Sequence, residues 1–139
     1  MVRDDQRAES RFLGEVSAPL DMNVLAGIRT FVGEVARTAA LAPERAYDLR
    51  VAVSEACANA IEHTSEPGHL TVTAWLFPER LTITIVQPDG FFMRDRAQGD
   101  RAHRGMGLPL MVQLTDELIF RRLGGGGTEV VLGMVLSQG

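Results

Sequence analysis

The sequence predicts an α+β fold in two layers: a mixed, mostly antiparallel sheet with helices on one face. Three observations predict it. Two pairs of short segments alternate apolar and polar residues at period two, each pair joined by a short turn, as antiparallel hairpins do. Two stretches in the first half of the chain repeat apolar residues at three- and four-residue steps, as amphipathic helices do. The chain has 139 residues, 45% hydrophobic and 23% charged, which suits one compact globular domain. Residues 1–139 are therefore read as a single domain with a core over about 12–136.

In chain order, Arg11–Ser17 alternates loosely and ends at Ala18-Pro19, which fits a first strand at a sheet edge. Asp21 can cap a helix running to about Leu41, with Val24, Ile28, Phe31 and Val35 along its apolar face. Ala42-Pro43-Glu44 places proline at a first-turn position, and a second helix is predicted from there to about Thr64, where Ser65-Glu66-Pro67-Gly68 ends it. His69–Phe77 and Leu81–Val86, rich in threonine, valine and isoleucine, form a hairpin across Pro78-Glu79-Arg80. From Asp89 to Arg104 no apolar period survives, and a loop is expected. Gly105-Met106-Gly107 opens a short helix, and Glu117–Leu123 and Thr128–Leu136 close the chain as two strands joined by four glycines.

Composition excludes several chemistries. A formal charge of −4 argues against direct nucleic-acid binding, which rests on a basic face. All 14 basic residues are arginine, so no lysine exists for a Walker-type loop, a Schiff base or a protein-kinase-type phosphate contact. The single Cys57 cannot form an internal disulfide, and no Cys/His cluster has zinc-ligand spacing. No apolar run spans a membrane, and the charged start lacks a signal-peptide core, so the cytoplasm is the expected compartment.

The second helix carries the most chemistry. Glu55, Asn59 and His63 follow at four-residue steps and share one stripe, set among Ala52, Ala56, Cys57, Ala58 and Ala60. Small apolar neighbours imply burial, where a carboxylate and an amide are costly unless paired or used. An asparagine oxygen suits Mg²⁺, which shares phosphate oxygens and keeps waters. A glutamate one turn earlier can accept a proton from a hydroxyl attacking a γ-phosphate. A solvated polar face remains the competing reading of the stripe. Further on, Arg104-Gly105-Met106-Gly107-Leu108 puts two glycines before a helix whose free amides can hold phosphate, or is simply a helix-start turn.

Together these segments resemble a known family. Glu55-Ala-Cys-Ala-Asn59-Ala60-Ile61-Glu62-His63 is similar to the E-x-x-x-N-A-x-x-H N box of the histidine-kinase-like (GHKL, Bergerat-fold) ATPases. Arg104-Gly-Met-Gly-Leu-Pro-Leu-Met111 resembles their G-x-G-L box, and Gly127-Thr128-Glu129 their terminal G-T element. The short chain, and Leu49-Arg-Val-Ala-Val-Ser-Glu55 leading into the N box, point to the branch of anti-sigma factors that are serine-protein kinases.

That resemblance implies a bacterial kinase that uses ATP and Mg²⁺ to phosphorylate a serine of an anti-anti-sigma (STAS-type) partner, and that sequesters a sigma factor by binding it. Glu55 would be the catalytic base and Asn59 the Mg²⁺ ligand. Gly105 and Gly107, with Met106 and Leu108 between and after them, would form the phosphate-side lid hinge, and Arg104 and Thr128 would contact phosphate. The family's D-x-G-x-G box, whose aspartate reads adenine, is replaced by Val86-Gln87-Pro88-Asp89-Gly90-Phe91-Phe92. Without gaps Gln87 takes the adenine-reading position; with two residues inserted, Asp89 and Gly90 do. A homodimer through the first strand and first helix is a further expectation. Two other functions stay open: a non-catalytic partner-switching module with a degraded nucleotide site, and a regulatory ATPase domain from a larger signalling protein.

Arg94, Arg96, Arg101 and Arg104 either neutralise phosphate from the loop or are solvated there. His63 is assigned a packing role at the helix end or against a nearby strand, Cys57 to the core, and Gly124–Gly126 to a flexible turn.

Overall fold

The computed structural model describes residues 9–63, 68–88 and 102–136, with side chains in the last segment described from Leu108 onward. The elements in order are β1 (Arg11–Pro19), a 3₁₀ turn (Met22–Val24), α1 (Leu25–Thr38), α2 (Pro43–Glu62), β2 (His69–Phe77), β3 (Arg80–Gln87), α3 (Ala102–Leu114), β4 (Glu117–Arg122) and β5 (Thr128–Val135). The five strands form one sheet in the order β1-β2-β3-β5-β4. Every pairing is antiparallel, which sharpens the expected mixed sheet.

Period-two alternation decides which side of the sheet is covered. Leu70, Val72 and Ala74 of β2, Leu81, Ile83 and Ile85 of β3, and Val130, Leu132 and Met134 of β5 are all fully buried beneath the helices. The alternate residues, among them Thr73, Trp75, Thr84 and Glu129, face away from the helices. The helical layer contributes Ile28, Val32 and Val35 from α1, Leu49, Val53, Ala56 and Cys57 from α2, and Met111 from α3 to the same core. Removing a large apolar side chain of this kind from water stabilises the fold by about 1.5–3 kcal/mol.

Both boundaries of α1 differ from the sequence reading. Asp21 does cap, its Oδ1 accepting from the Asn23 N–H at 2.8 Å, but the first turn it caps is 3₁₀ and the α-helix begins at Leu25. At the other end α1 stops at Thr38, three residues early. The Leu41 N–H donates to the Ala36 carbonyl and the Ala40 N–H to that of Arg37, closing a Schellman motif with Ala40 at φ +60°. No glycine marks that stop, so the apolar Ala39, Ala40 and Leu41 read as a continuing helix.

One clamp fixes the direction of α2 over the sheet. Arg45, in its first turn, hydrogen-bonds the Asp116 carboxylate and donates to the Val135 carbonyl at 2.9 Å, while the Val135 N–H donates to Asp116 Oδ2 at 2.7 Å. The start of α2 is thereby tied to the end of β5. Because α2 packs over β5 and β3, its later turns run toward the opposite end of the sheet, where β3 ends at Gln87 and β5 begins at Thr128.

Candidate functional site

Proline at the first position starts α2, and the absence of helix breakers over twenty residues lets it continue to Glu62. Its buried face is built of small residues: Ala52, Ala56, Cys57 and Ala60 are at most 1% exposed. Such a face lets α2 lie close to the sheet, and it leaves Glu55 and Asn59 half-buried side by side, one turn apart. His63 ends the stripe at the helix C-cap, where its backbone N–H donates to the Asn59 carbonyl at 3.0 Å.

Beneath that end of α2 the sheet changes character. Gln87 continues the inward-facing row of Leu81, Ile83 and Ile85, and Thr128 that of Val130, Leu132 and Met134. They are register partners, and both are buried, Gln87 to 2% exposure. Apolar rows thus end in an amide and a hydroxyl at the end of the sheet toward which Glu55 and Asn59 run. The two strands close tightly there: a Cβ on Gly127 would lie 2.5 Å from the Gln87 carbonyl oxygen. Glycine is required at 127 by this approach of backbone to backbone. Gly124 and Gly125, by contrast, have nothing within 4 Å, in keeping with a plain turn.

The glycines of α3 are placed differently from expectation. The helix starts at Ala102, so Gly105 and Gly107 lie inside it and do not precede it. Nothing in Ala102-His103-Arg104 opposes helix, and each glycine costs a helix only about 1 kcal/mol. Arg104 and Met106 share this backbone; Leu108, the next residue, is 36% exposed on the helix surface. Pro109, inside the helix, has no N–H to donate to the turn before it. Asp89 and Gly90, like Arg94, Arg96 and Arg101, lie outside the described residues, as does the expected loop up to position 101.

Sequence reasoning overlooked a cleft on the other side of Glu55. Arg29 of α1 joins Tyr47, Arg50, Val51, Ser54 and Glu55 of α2 around a space of about 380 Å³. Four-residue spacing from Tyr47 and Arg50 through Val51 and Ser54 to Glu55 was available as a signal. The entry of Arg29 depends on how α1 packs against α2. Cys57, meanwhile, is fully buried, and burial pushes its thiol up to about 12, so it is an inert core residue.

A divalent ion and a nucleotide fit the donor chemistry at the polar end. Among the described residues no three His, Cys, Asp or Glu side chains converge, so an ion here would have one amide oxygen from Asn59 and take the rest from phosphate and water. That is the donor set Mg²⁺ prefers.

The family model for the histidine kinase-like ATPase domain matches residues 18–134. This chain belongs to that family. As a histidine kinase-like ATPase domain it is similar to the serine-protein kinase RsbW of Bacillus pumilus, at 31% identity over 121 residues covering 75% of each chain. RsbW of Bacillus licheniformis is 29% identical over 119 residues, covering 75% of this chain and 74% of the relative, and RsbW of Bacillus subtilis is 28% identical over 119 residues. The branch to which the short chain and Leu49-Arg-Val-Ala-Val-Ser-Glu55 pointed is therefore the branch of these relatives. Among solved structures, that of the RsbU and RsbW domains of Rv1364c from Mycobacterium tuberculosis shares its fold, with a TM-score of 0.69 at 19% identity. The match covers 91% of this chain and about a third of that one, 34%. In this ATPase domain the terminal Gly-Thr element has a physical basis: Gly127 admits the Gln87 carbonyl, and Thr128 is the buried partner beside it.

Proposed function

We propose that this single-domain chain is a cytoplasmic anti-sigma factor with ATP-dependent serine-protein kinase activity. It sequesters a sigma factor and phosphorylates a serine of an anti-anti-sigma partner of the STAS type. It acts without contacting nucleic acid or membrane, and a homodimer through edge strand β1 and helix α1 belongs to the same reading. The observation that carries the proposal is the placement of Glu55 and Asn59, half-buried one turn apart on α2 in a chain whose relatives are serine-protein kinases.

Glu55 is the base: its carboxylate accepts the proton of the serine hydroxyl as that oxygen bonds the γ-phosphorus and the bond to the leaving diphosphate breaks. Asn59 supplies the protein ligand of Mg²⁺, which when bound with ATP neutralises phosphate charge. Thr128 and Arg104 contact phosphate, the backbone of Gly105, Met106, Gly107 and Leu108 hinges over it, and Asp89 and Gly90 belong to the segment assigned to adenine.

The test is a titration with Mg·ATP, since a ligand at about 100 times its Kd stabilises a folded protein by about 2.7 kcal/mol. The expected result is Mg²⁺-dependent stabilisation that Asn59→Ala removes, with Glu55→Gln retaining binding but losing phosphotransfer by about 10²–10⁴-fold. Absence of binding at millimolar ATP refutes the kinase reading. It would favour the second reading, a non-catalytic partner-switching module. Gln87 supports that alternative in the ungapped alignment, where this buried amide takes the adenine-reading position and a carboxylate would be the stronger acceptor for an exocyclic amine.

A further inference from the structure

We infer that a hollow on the outer face of the sheet, the face turned away from the helices, is a binding site for a flat, uncharged aromatic molecule carrying a carbonyl or ring-nitrogen acceptor. The inference goes beyond the kinase reading and does not rest on it.

Trp75 of β2, Thr82 of β3, Gly133 of β5 and Glu117 of β4 are successive register partners and make one outward row across the sheet. Gly133 brings no side chain to that row, and Glu117 and Arg80 close over its place: a Cβ there would stand 2.9 Å from Glu117 Oε1 and 3.7 Å from Arg80 Cδ. Beside them lies a space of about 560 Å³, lined in part by Trp75, Thr82, Thr84, Ile119 and Val131. Small-molecule sites typically enclose about 300–1,000 Å³. One wall is aromatic and braced. Trp75 is 37% exposed, and the Phe12 ring of β1 meets it edge-on, with 5.4 Å between centroids and 64° between planes. An indole held in this way offers a flat apolar surface at little cost in freedom on binding.

Two polar groups at the hollow are left unsatisfied by the fold. Thr82 is 9% exposed, and its Oγ1 is buried with no hydrogen bond. The Nε atom of Arg80 is also buried without one: it stands 3.6 Å from Glu117 Oε1, an ion pair longer than a hydrogen bond. The Arg80 guanidinium lies over the Phe77 ring, 5.2 Å from its centroid, which fixes the group against the hollow's wall. An arginine N–H can only donate, and a threonine hydroxyl needs an acceptor for its proton, so a ligand that satisfies both must present acceptor atoms. The Thr82 side chain already lines the hollow, and one staggered turn about its Cα–Cβ bond carries Oγ1 round to it.

Charge narrows the ligand class. The charged residues lining the hollow are Arg80, Glu117, Arg121 and Glu129, and they are already matched, Arg80 with Glu117 and Arg121 with Glu129 at 3.5 Å. A carboxylate or phosphate would therefore meet two carboxylates with no surplus positive charge to balance them. A plain hydrocarbon would cover the two donors and leave them unpaired, at the cost of their desolvation. A neutral carbonyl or ring nitrogen on a flat apolar ring satisfies both conditions: the ring lies against Trp75, Ile119 and Val131, and the acceptor meets Thr82 and Arg80.

The test uses coumarin, an uncharged bicycle with a carbonyl acceptor, beside naphthalene, which has no acceptor, and naphthoate, which is anionic. Trp75 is the single tryptophan, so one indole N–H signal in the nuclear magnetic resonance spectrum of the isotope-labelled full chain reports on the hollow. Coumarin should move that signal saturably and bind about fivefold more tightly than either comparator. Thr82→Val should weaken coumarin about fivefold and leave naphthalene unchanged. The hydroxyl it removes has no partner, so this variant should unfold in urea at or above the wild-type midpoint, which separates weaker binding from a damaged fold. An indole signal unmoved by millimolar coumarin, equal affinities for coumarin and naphthalene, tighter binding of naphthoate, or full coumarin affinity in Thr82→Val overturns the inference. So does a coumarin affinity that falls as protein concentration rises, which would give the hollow to a second copy of the chain.

Discussion

Replacing Gly127 by alanine tests whether the close approach at the polar end of the sheet is real. The added Cβ would stand 2.5 Å from the Gln87 carbonyl oxygen, about 0.9 Å inside ordinary contact, and 3.5 Å from Pro88 Cα. The obstacle is backbone, so no side-chain rotation relieves it. Either strand must shift at the Gln87–Thr128 pair, which ends the β3–β5 ladder. Overpacking of this kind costs about 1–3 kcal/mol, and weakening one ladder hydrogen bond adds about 1 kcal/mol. Against this, alanine restricts the unfolded chain and returns about 0.4–1 kcal/mol. A net loss of about 1.5–3 kcal/mol is expected, measured by urea unfolding with Gly125→Ala as control. Gly125 has open space around it and should change stability by less than about 0.5 kcal/mol. Equal midpoints for the two variants would refute the reasoning. In the proposed kinase the same shift moves Gln87 and Thr128, so Mg·ATP affinity should fall with Gly127→Ala and hold with Gly125→Ala.

Three further outcomes are expected. Ala40 closes α1 at φ +60°, where a Cβ is strained, so Ala40→Gly should raise the urea midpoint by an amount equivalent to about 0.5–1 kcal/mol. The Arg45 guanidinium beside Asp116, helped by the Val135 N–H, holds that carboxyl below its ordinary value of 3.8. A depressed folded-state pKa gives stability that is present above about pH 4 and lost as pH falls through the folded value. Asp116→Ala should therefore cost about 1 kcal/mol at pH 7, a modest sum because both partners are about a third exposed, and the gap from wild type should close in unfolding curves below pH 4. Cys57, buried and with its thiol raised to about 12, should react with a thiol reagent at pH 8 only at the rate of unfolding, read from the absorbance of the released product.

Periodicity carried most of the fold. Alternation in His69–Phe77, Leu81–Val86 and Thr128–Leu136 set both the strands and the buried rows, because one face of each strand had to be apolar to lie under helices. The breaks were legible where proline or a glycine run marked them. They were misplaced where the stop was geometric: Ala40 ends α1 by adopting a left-handed conformation that its side chain does not announce, and α3 begins ahead of its glycines because nothing in Ala102-His103-Arg104 forbids helix.

For the site, sequence spacing by itself placed Glu55 and Asn59 on one stripe of a helix with a small-residue face, since helical period fixes which residues share a side. It did not show that α2 points its later turns at Gln87 and Thr128. That follows from the Arg45–Asp116–Val135 clamp, a contact between residues 71 and 90 positions apart. Nor did it show that Arg29 stands across from Arg50, or that the Gln87 carbonyl leaves room at 127 only for glycine. These are distances between segments remote in the chain, and only packing brings them within the reach of a hydrogen bond or a van der Waals contact.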